Sequence, residues 1–197
     1  MSRGLAVLLV DLQNAYFQVE ALAERRTELV QRVNALVTWA KEHRCPVINV
    51  RTEHQRDRST WTLNMLEDDQ GFVFEGEEDA APLAELDLTG AMEVVKTRDD
   101  AFLGTELGEL LRAHRVGTIV VAGVATHSCI LATVTHAYAE NFEVVLVPDA
   151  IASNRPELHE DTLQQLHDEY RLPLRSTDDL LTAGPAAARE RHEAPAT

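Results

Sequence analysis

Thr118-Ile119-Val120-Val121-Ala122-Gly123-Val124-Ala125-Thr126-His127-Ser128-Cys129-Ile130 opens on a continuous apolar run, turns at a glycine and enters a helical pattern that continues to Glu140. A short unbroken apolar run fits a strand covered on both faces. Strand, tight turn and helix in succession form one half of a βαβ unit. The same order recurs along the chain. Leu5–Val10, Val47–Val50 and Val144–Val147 are further buried-strand candidates, Met92–Val95 is a weaker one, and Leu172-Pro173-Leu174 is a short edge candidate because of its proline. Leu29, Val30, Val33, Leu36, Val37 and Ala40 mark one face of a helix. Thr105–His114 and Glu157–Tyr170 read as further helices, the latter started by Asn154-Arg155-Pro156. Alternating strands and helices predict an α/β fold: a three-layer αβα sandwich with a mostly parallel, Rossmann-like sheet of roughly six strands.

At 197 residues the chain is expected to hold a single domain over 1–182, followed by an Ala-Gly-Pro-rich flexible tail over 183–197. Its 45% hydrophobic and 26% charged residues exclude a disordered, collagen-like or coiled-coil chain. The net charge of −15 repels phosphate, so nucleic acid and anionic membrane are excluded as partners. Two cysteines, Cys45 and Cys129, make no disulfide framework. The first apolar run is too short for a secretory leader and no run approaches the ~18 residues of a membrane span. The expected location is the reducing cytoplasm.

Residues 59–95 interrupt the rhythm with ten Asp or Glu and no Lys or Arg. So long an insertion after a strand is either a lid or binding loop, or a solvated excursion.

Three residues carry reactive side chains just beyond predicted strands. Asp11 follows Val10, and such an Asp is commonly a turn or cap residue. Lys96 follows Val95, where a lysine is commonly a solvated strand end. Cys129 sits at a helix start, where positive potential favours a thiolate, although a cysteine in a helix can also be buried and inert. In a parallel sheet all three strand ends face one way, and sites form there. A carboxylate, an ammonium and a thiol meeting in one crevice have the makings of a base-activated nucleophile with an orienting third group.

Val10-Asp11-Leu12-Gln13-Asn14 with Phe17, Val95-Lys96 leading to Asp100-Ala101-Phe102 and Gly104-Thr105, Gly123 through Cys129, and Val147-Pro148-Asp149-Ala150 stand in an order and spacing that resembles the isochorismatase-like cysteine hydrolases. That superfamily includes nicotinamidases, N-carbamoylsarcosine amidases and streptothricin hydrolases. The resemblance runs from Leu5 to about Leu181. It implies a catalytic triad of Asp11, Lys96 and Cys129, a cis peptide between Val124 and Ala125, and an oxyanion hole from the Ala125 and Cys129 amides. Phe17, His54, Phe102 and Val124 are the candidate substrate contacts, His54 being open also to a plain surface reading. The resemblance further implies a homodimer or homotetramer.

Nicotinamidases of this kind carry an Asp-x-His for a divalent ion, whereas here the stretch reads Thr52-Glu53-His54, with no second His over Gln55–Leu63. A hydroxyl replaces a carboxylate ligand poorly, so neither metal nor other cofactor is expected. His136 lies about two helical turns from Cys129, too far to be its base, while a Cys129–His127 dyad stays open as a minor alternative. The expected activity is amide or lactam hydrolysis of a small molecule through a thioester, with the acidic stretch favouring a cationic substrate. A vinyl-ether hydrolase, whose dianionic substrate suits this charge badly, a nicotinamidase-like amidase and a non-catalytic binding protein are the alternatives.

Overall fold

In the computed structural model, which describes residues 4–188, five strands form one sheet in the order β3-β2-β1-β4-β5. They are β1 (Gly4–Val10), β2 (Val47–Thr52), β3 (Met92–Lys96), β4 (Val116–Val124) and β5 (Glu143–Ala152). All four pairings are parallel. The helices are α1 (Glu20–Ala23), α2 (Arg26–Glu42), α3 (Leu63–Glu67), α4 (Leu107–Ala113), α5 (Leu131–Ala139), α6 (His159–Tyr170) and α7 (Thr177–Ala187).

Successive strand residues point to opposite faces, and the two faces of β1 divide accordingly. Leu5, Val7 and Leu9 join a core with Leu29, Val33, Leu36 and Trp39 of α2 and Leu180 of α7. Ala6, Leu8 and Val10 join a second core with Leu107 and Leu111 of α4, Val134 of α5, and Leu163 and Leu166 of α6. Burial on both faces is why these strands read as unbroken apolar runs, and the result is a three-layer αβα sandwich.

The expected sixth strand reduces to a single bridge between Leu146 and Leu174. Leu146 and Arg175 amides donate to the Pro173 and Leu146 carbonyls at 3.0 Å, but Pro173 has no N–H with which to lengthen the ladder. The tail expected from 183 does not begin there: α7 continues to Ala187 across a break at Gly184 (φ 70°), and Ala188 is buried. The rest of that expectation, 189–197, lies outside the described residues.

Connections reverse direction between β1 and β4, which makes the carboxyl ends of these two strands the switch point where open α/β sheets place their sites. Close approach there depends on Gly123. Its φ is +128°, and a Cβ on it would sit 2.1 Å from the Val10 carbonyl oxygen and 2.7 Å from the Val10 nitrogen. Backbone cannot yield as a side-chain tip can. Gly123→Ala is therefore expected to cost more than about 4 kcal/mol and give little folded protein. Gly76→Ala, at φ +79° with nothing within 4 Å, is expected to cost about 1 kcal/mol. Equal melting temperatures for the two variants would contradict this account of the crossing.

Candidate active site

Strand order and register bring the reactive groups together. Thr52 ends β2 opposite Lys96 at the end of β3, and β2 lies between β3 and β1, whose last residue precedes Asp11. Asp11 turns out of the strand with φ 54°. All three side chains are buried, Lys96 and Asp11 at 1% and 0% exposure.

The Lys96 Nζ lies 2.8 Å from Asp11 Oδ2. It donates to Thr52 Oγ1 at 2.8 Å, to the Arg98 carbonyl at 3.0 Å and toward Cys129 Sγ at 3.5 Å. Thr52 Oγ1 donates in turn to Asp11 Oδ1 at 2.9 Å. Asp11 Oδ2 faces the ammonium without an aligned hydrogen bond from it, which leaves an acceptor lone pair beside the thiol.

Burial pushes the Cys129 thiol well above the usual thiol range, and the charge of Asp11 adds to the shift against the opposing pull of Lys96. The resting group is a protonated thiol beside a carboxylate. Burial works against the Lys96 ammonium as well, but the adjacent Asp11 carboxylate opposes it and the group stays above the ordinary lysine value. Lys96 is thus held positive and Cys129 neutral.

The loop after β4 delivers Cys129. The Val124–Ala125 peptide is cis, and residues Thr126–Ile130 form one π-helical turn before α5. Ser128 and Ile130 amides both donate to the Ala125 carbonyl.

A cavity of about 490 Å³ adjoins the triad through Thr52. Its wall includes Tyr16, His54, Trp61, Phe72, Arg98 and Asp99. The acidic insertion therefore does cover the crevice: Trp61, Thr62, Leu63, Asn64 and Phe72 are all wall residues. It is tied down by Gln13, buried at 1% exposure, whose Nε2 donates to the Thr52 and Ala80 carbonyls at 2.8 Å each. None of the ten insertion carboxylates lines the cavity. Several are engaged elsewhere: Asp87 with Lys41, Glu85 with Arg26, Asp69 with Arg58 and Glu93 with Arg51. A sequence count of acids reports net charge but not direction, and here the charge faces outward.

His54 is not a surface residue. It is 2% exposed, it bridges to Phe74, and its Nδ1 donates to the Thr60 carbonyl at 3.0 Å. Burial lowers its pKa, keeping the imidazole neutral. Phe17, Phe102 and Val124, expected as substrate contacts, lie in the two cores. Phe102 stacks on His136 with centroids 5.0 Å apart. Val124 ends β4 and Phe17 sits in the 3-10 turn after β1, and both pack in the core that also holds Ala125. His127 Nδ1 engages Ser153 Oγ at 2.8 Å instead of the thiol, which removes the Cys–His pairing.

A divalent ion does not fit the residues present. The Thr52 hydroxyl donates to Asp11 and accepts from Lys96, and the adjacent ammonium repels a cation. Among the described residues no three His, Cys, Asp or Glu converge as a ligand set.

Sequence reasoning missed Tyr16, Trp61, Phe72, Arg98 and Asp99, and it saw Thr52 only as a lost metal ligand. Thr52 had a signal in the strand order, which puts the end of β2 between Asp11 and Lys96. Trp61 and Phe72 reach the site by the folding of an insertion without periodicity, Tyr16 by the 3-10 turn after β1, and Arg98 and Asp99 by the loop after β3.

A profile of the isochorismatase domain matches residues 5–178. A protein of Arabidopsis thaliana described as a probable inactive nicotinamidase is 31% identical, over 80% of this chain and 85% of its own. An isochorismatase family protein of Desulfovibrio vulgaris superposes with a TM-score of 0.82 at 27% identity, covering 92% of this chain and 98% of that one. A cysteine hydrolase of Pseudomonas syringae superposes at 0.81 over 90% and 91% of the two chains, and at 22% identity it shows the fold alone.

Proposed function

Because the chain belongs to the isochorismatase family of hydrolases, we propose that it is a cysteine-dependent amidohydrolase that opens a C–N amide or lactam bond of a small molecule through a thioester. The observation that carries this reading is the buried Asp11–Lys96–Cys129 constellation with Thr52 at its centre.

Each protonation state has a task. The thiol is held neutral, so its proton must leave as the bond to carbon forms, and Asp11 Oδ2 has the lone pair to accept it. Sulfur attacks the carbonyl carbon, and the oxygen that becomes an oxyanion is received by the Ala125 and Cys129 amides. Protonated Asp11 then gives its proton to the leaving nitrogen as the C–N bond breaks, leaving a thioester on Cys129 and releasing the amine. Water, deprotonated by Asp11, attacks the thioester. The thiolate is expelled and recovers the proton, and the carboxylic acid departs. Lys96 pairs with Asp11 at 2.8 Å and opposes the cost of charge on sulfur. Thr52 fixes both partners.

The aromatic wall of Tyr16, Trp61 and Phe72 suits a flat or cyclic substrate. Within the amide class the net charge of −15 favours cations, and streptothricin-like lactams belong in the substrate panel for that reason. The same aromatic wall favours nicotinamide as a second reading, and nicotinamide belongs there too. A vinyl-ether hydrolase has no use for Cys129. The proposal includes a cytoplasmic homodimer or homotetramer, to be read by light scattering. Among the described residues no helix is long and apolar enough to cross a membrane.

Intact-mass spectrometry of the enzyme quenched during turnover tests the reaction. An adduct of the acyl mass on the Cys129 peptide supports the thioester, and turnover without any adduct in a slow-deacylating panel overturns it. Activity is expected to survive exhaustive chelation unchanged, since Thr52 is already committed to Asp11 and Lys96. Loss on chelation with recovery on adding one divalent ion per chain would refute metal independence.

A further inference from the structure

The geometry points to Asp99 as the residue that selects substrate charge: its carboxylate receives an ammonium group carried one or two bonds from the carbonyl that Cys129 attacks. This rests on the cysteine-hydrolase reading and adds to it a substrate class, amides bearing an amine close to the scissile carbonyl.

Asp99 lies in the loop after β3, is exposed, and forms part of the cavity wall. Its Oδ1 is 3.7 Å from Cys129 Sγ. A carbonyl carbon ready for attack sits about 3–3.5 Å from the nucleophile. A substituent on the neighbouring atom is therefore within reach of the Asp99 oxygens.

The other charges in the site do not cancel this one. Lys96 and Asp11 are paired with each other behind the thiol. Arg98, the cation of the cavity wall, gives Nη1 to the Thr60 and Thr97 carbonyls at 2.6 Å each and so is drawn toward the insertion. Asp99 takes part in none of the ion pairs among the described residues. His54 is neutral. The charge that an incoming group meets beside the sulfur is that of Asp99. It also disfavours a carboxylate at that position, whose like charge would stand within a few ångströms of it.

Two measurements test the assignment. The first does not depend on turnover. In a Cys45→Ser background, Cys129 is labelled with aminoethyl methanethiosulfonate, a cation, and with sulfonatoethyl methanethiosulfonate, an anion. Two unit charges about 4 Å apart in water alter a rate about fivefold, so Asp99→Asn should reduce the cation-to-anion rate ratio by about 25-fold. The ratio cancels any change in thiol ionisation, which affects both reagents alike. Asp99→Ser should give the same fall, and circular dichroism identifies a misfolded variant. The second measurement compares kcat/KM for alaninamide and isobutyramide, which differ by an ammonium against a methyl. A preference for alaninamide that Asp99→Asn removes supports the proposal.

An unchanged labelling ratio in both variants overturns it, as does equal turnover of the two amides by the parent enzyme. Failure of both reagents to label Cys129 removes the nucleophile itself, and with it the hydrolase reading. Labelling with charge selection but no acyl adduct on any amide would instead keep Asp99 and reject the reaction.

Discussion

Cys129→Ala abolishes amide turnover and leaves a protein that melts within a few degrees of the parent. Without the sulfur there is no covalent route, and the two-step division of the reaction disappears. Asp11→Asn keeps the shape of the side chain but removes the base, and kcat should fall by several orders of magnitude. Activities of Cys129→Ala, Asp11→Asn and the double variant should be alike at background, because the residues act as one unit. Steady-state assays with a control for contaminating amidase decide the matter. Substantial hydrolysis by Cys129→Ala would mean that Asp11 activates water directly, and the vinyl-ether class would then lead.

Lys96→Met is expected to destabilise the fold by about 3–5 kcal/mol, since it leaves Asp11 charged and buried without its counter-ion. The same change should abolish activity. Adding Asp11→Asn to it removes the orphaned charge, and most of the lost stability should return while activity does not. Urea denaturation of parent, single and double variants measures this, and a Lys96→Met protein as stable as the parent would show that the pair is not desolvated. The pairing of restored stability with absent activity separates an electrostatic fault from a packing one.

The framework was legible because it depends on local rules. Unbroken apolar runs announced strands buried on both faces, and Leu5–Val10 occupies the middle of the sheet as its composition requires. Asp11 and Lys96 were candidates because each directly follows a predicted strand, and Cys129 because it opens the helix that follows one. What lay beyond reach was the substrate wall. Trp61 and Phe72 have no period to place them: Trp61 is held by the Gln55 carbonyl and Arg58, and Phe72 by the rings of Tyr16 and His54. Thr52 was read as a deficit because its partners stand on other strands. Phe17 and Phe102, candidate contacts on the strength of the resemblance, pack in the same two cores that hold Ala125 and Cys129. The acidic residues were counted correctly, but the side they face is set by Arg26, Lys41, Arg51 and Arg58, partners outside the insertion.

The division of labour between sheet and insertion gives the enzyme a modular evolvability. The bond-breaking groups stand on or beside strands whose register is locked by two cores, whereas Trp61, Thr62, Leu63, Asn64 and Phe72 come from the insertion, outside the sheet. Drift in that stretch can recast which molecules are accepted without disturbing the thiol, its base or their spacing. A graft of 60–72 from a relative can therefore change the shape of molecule that is accepted, while the preference for charge stays with Asp99 on the loop after β3 and the recipient keeps its own chemistry.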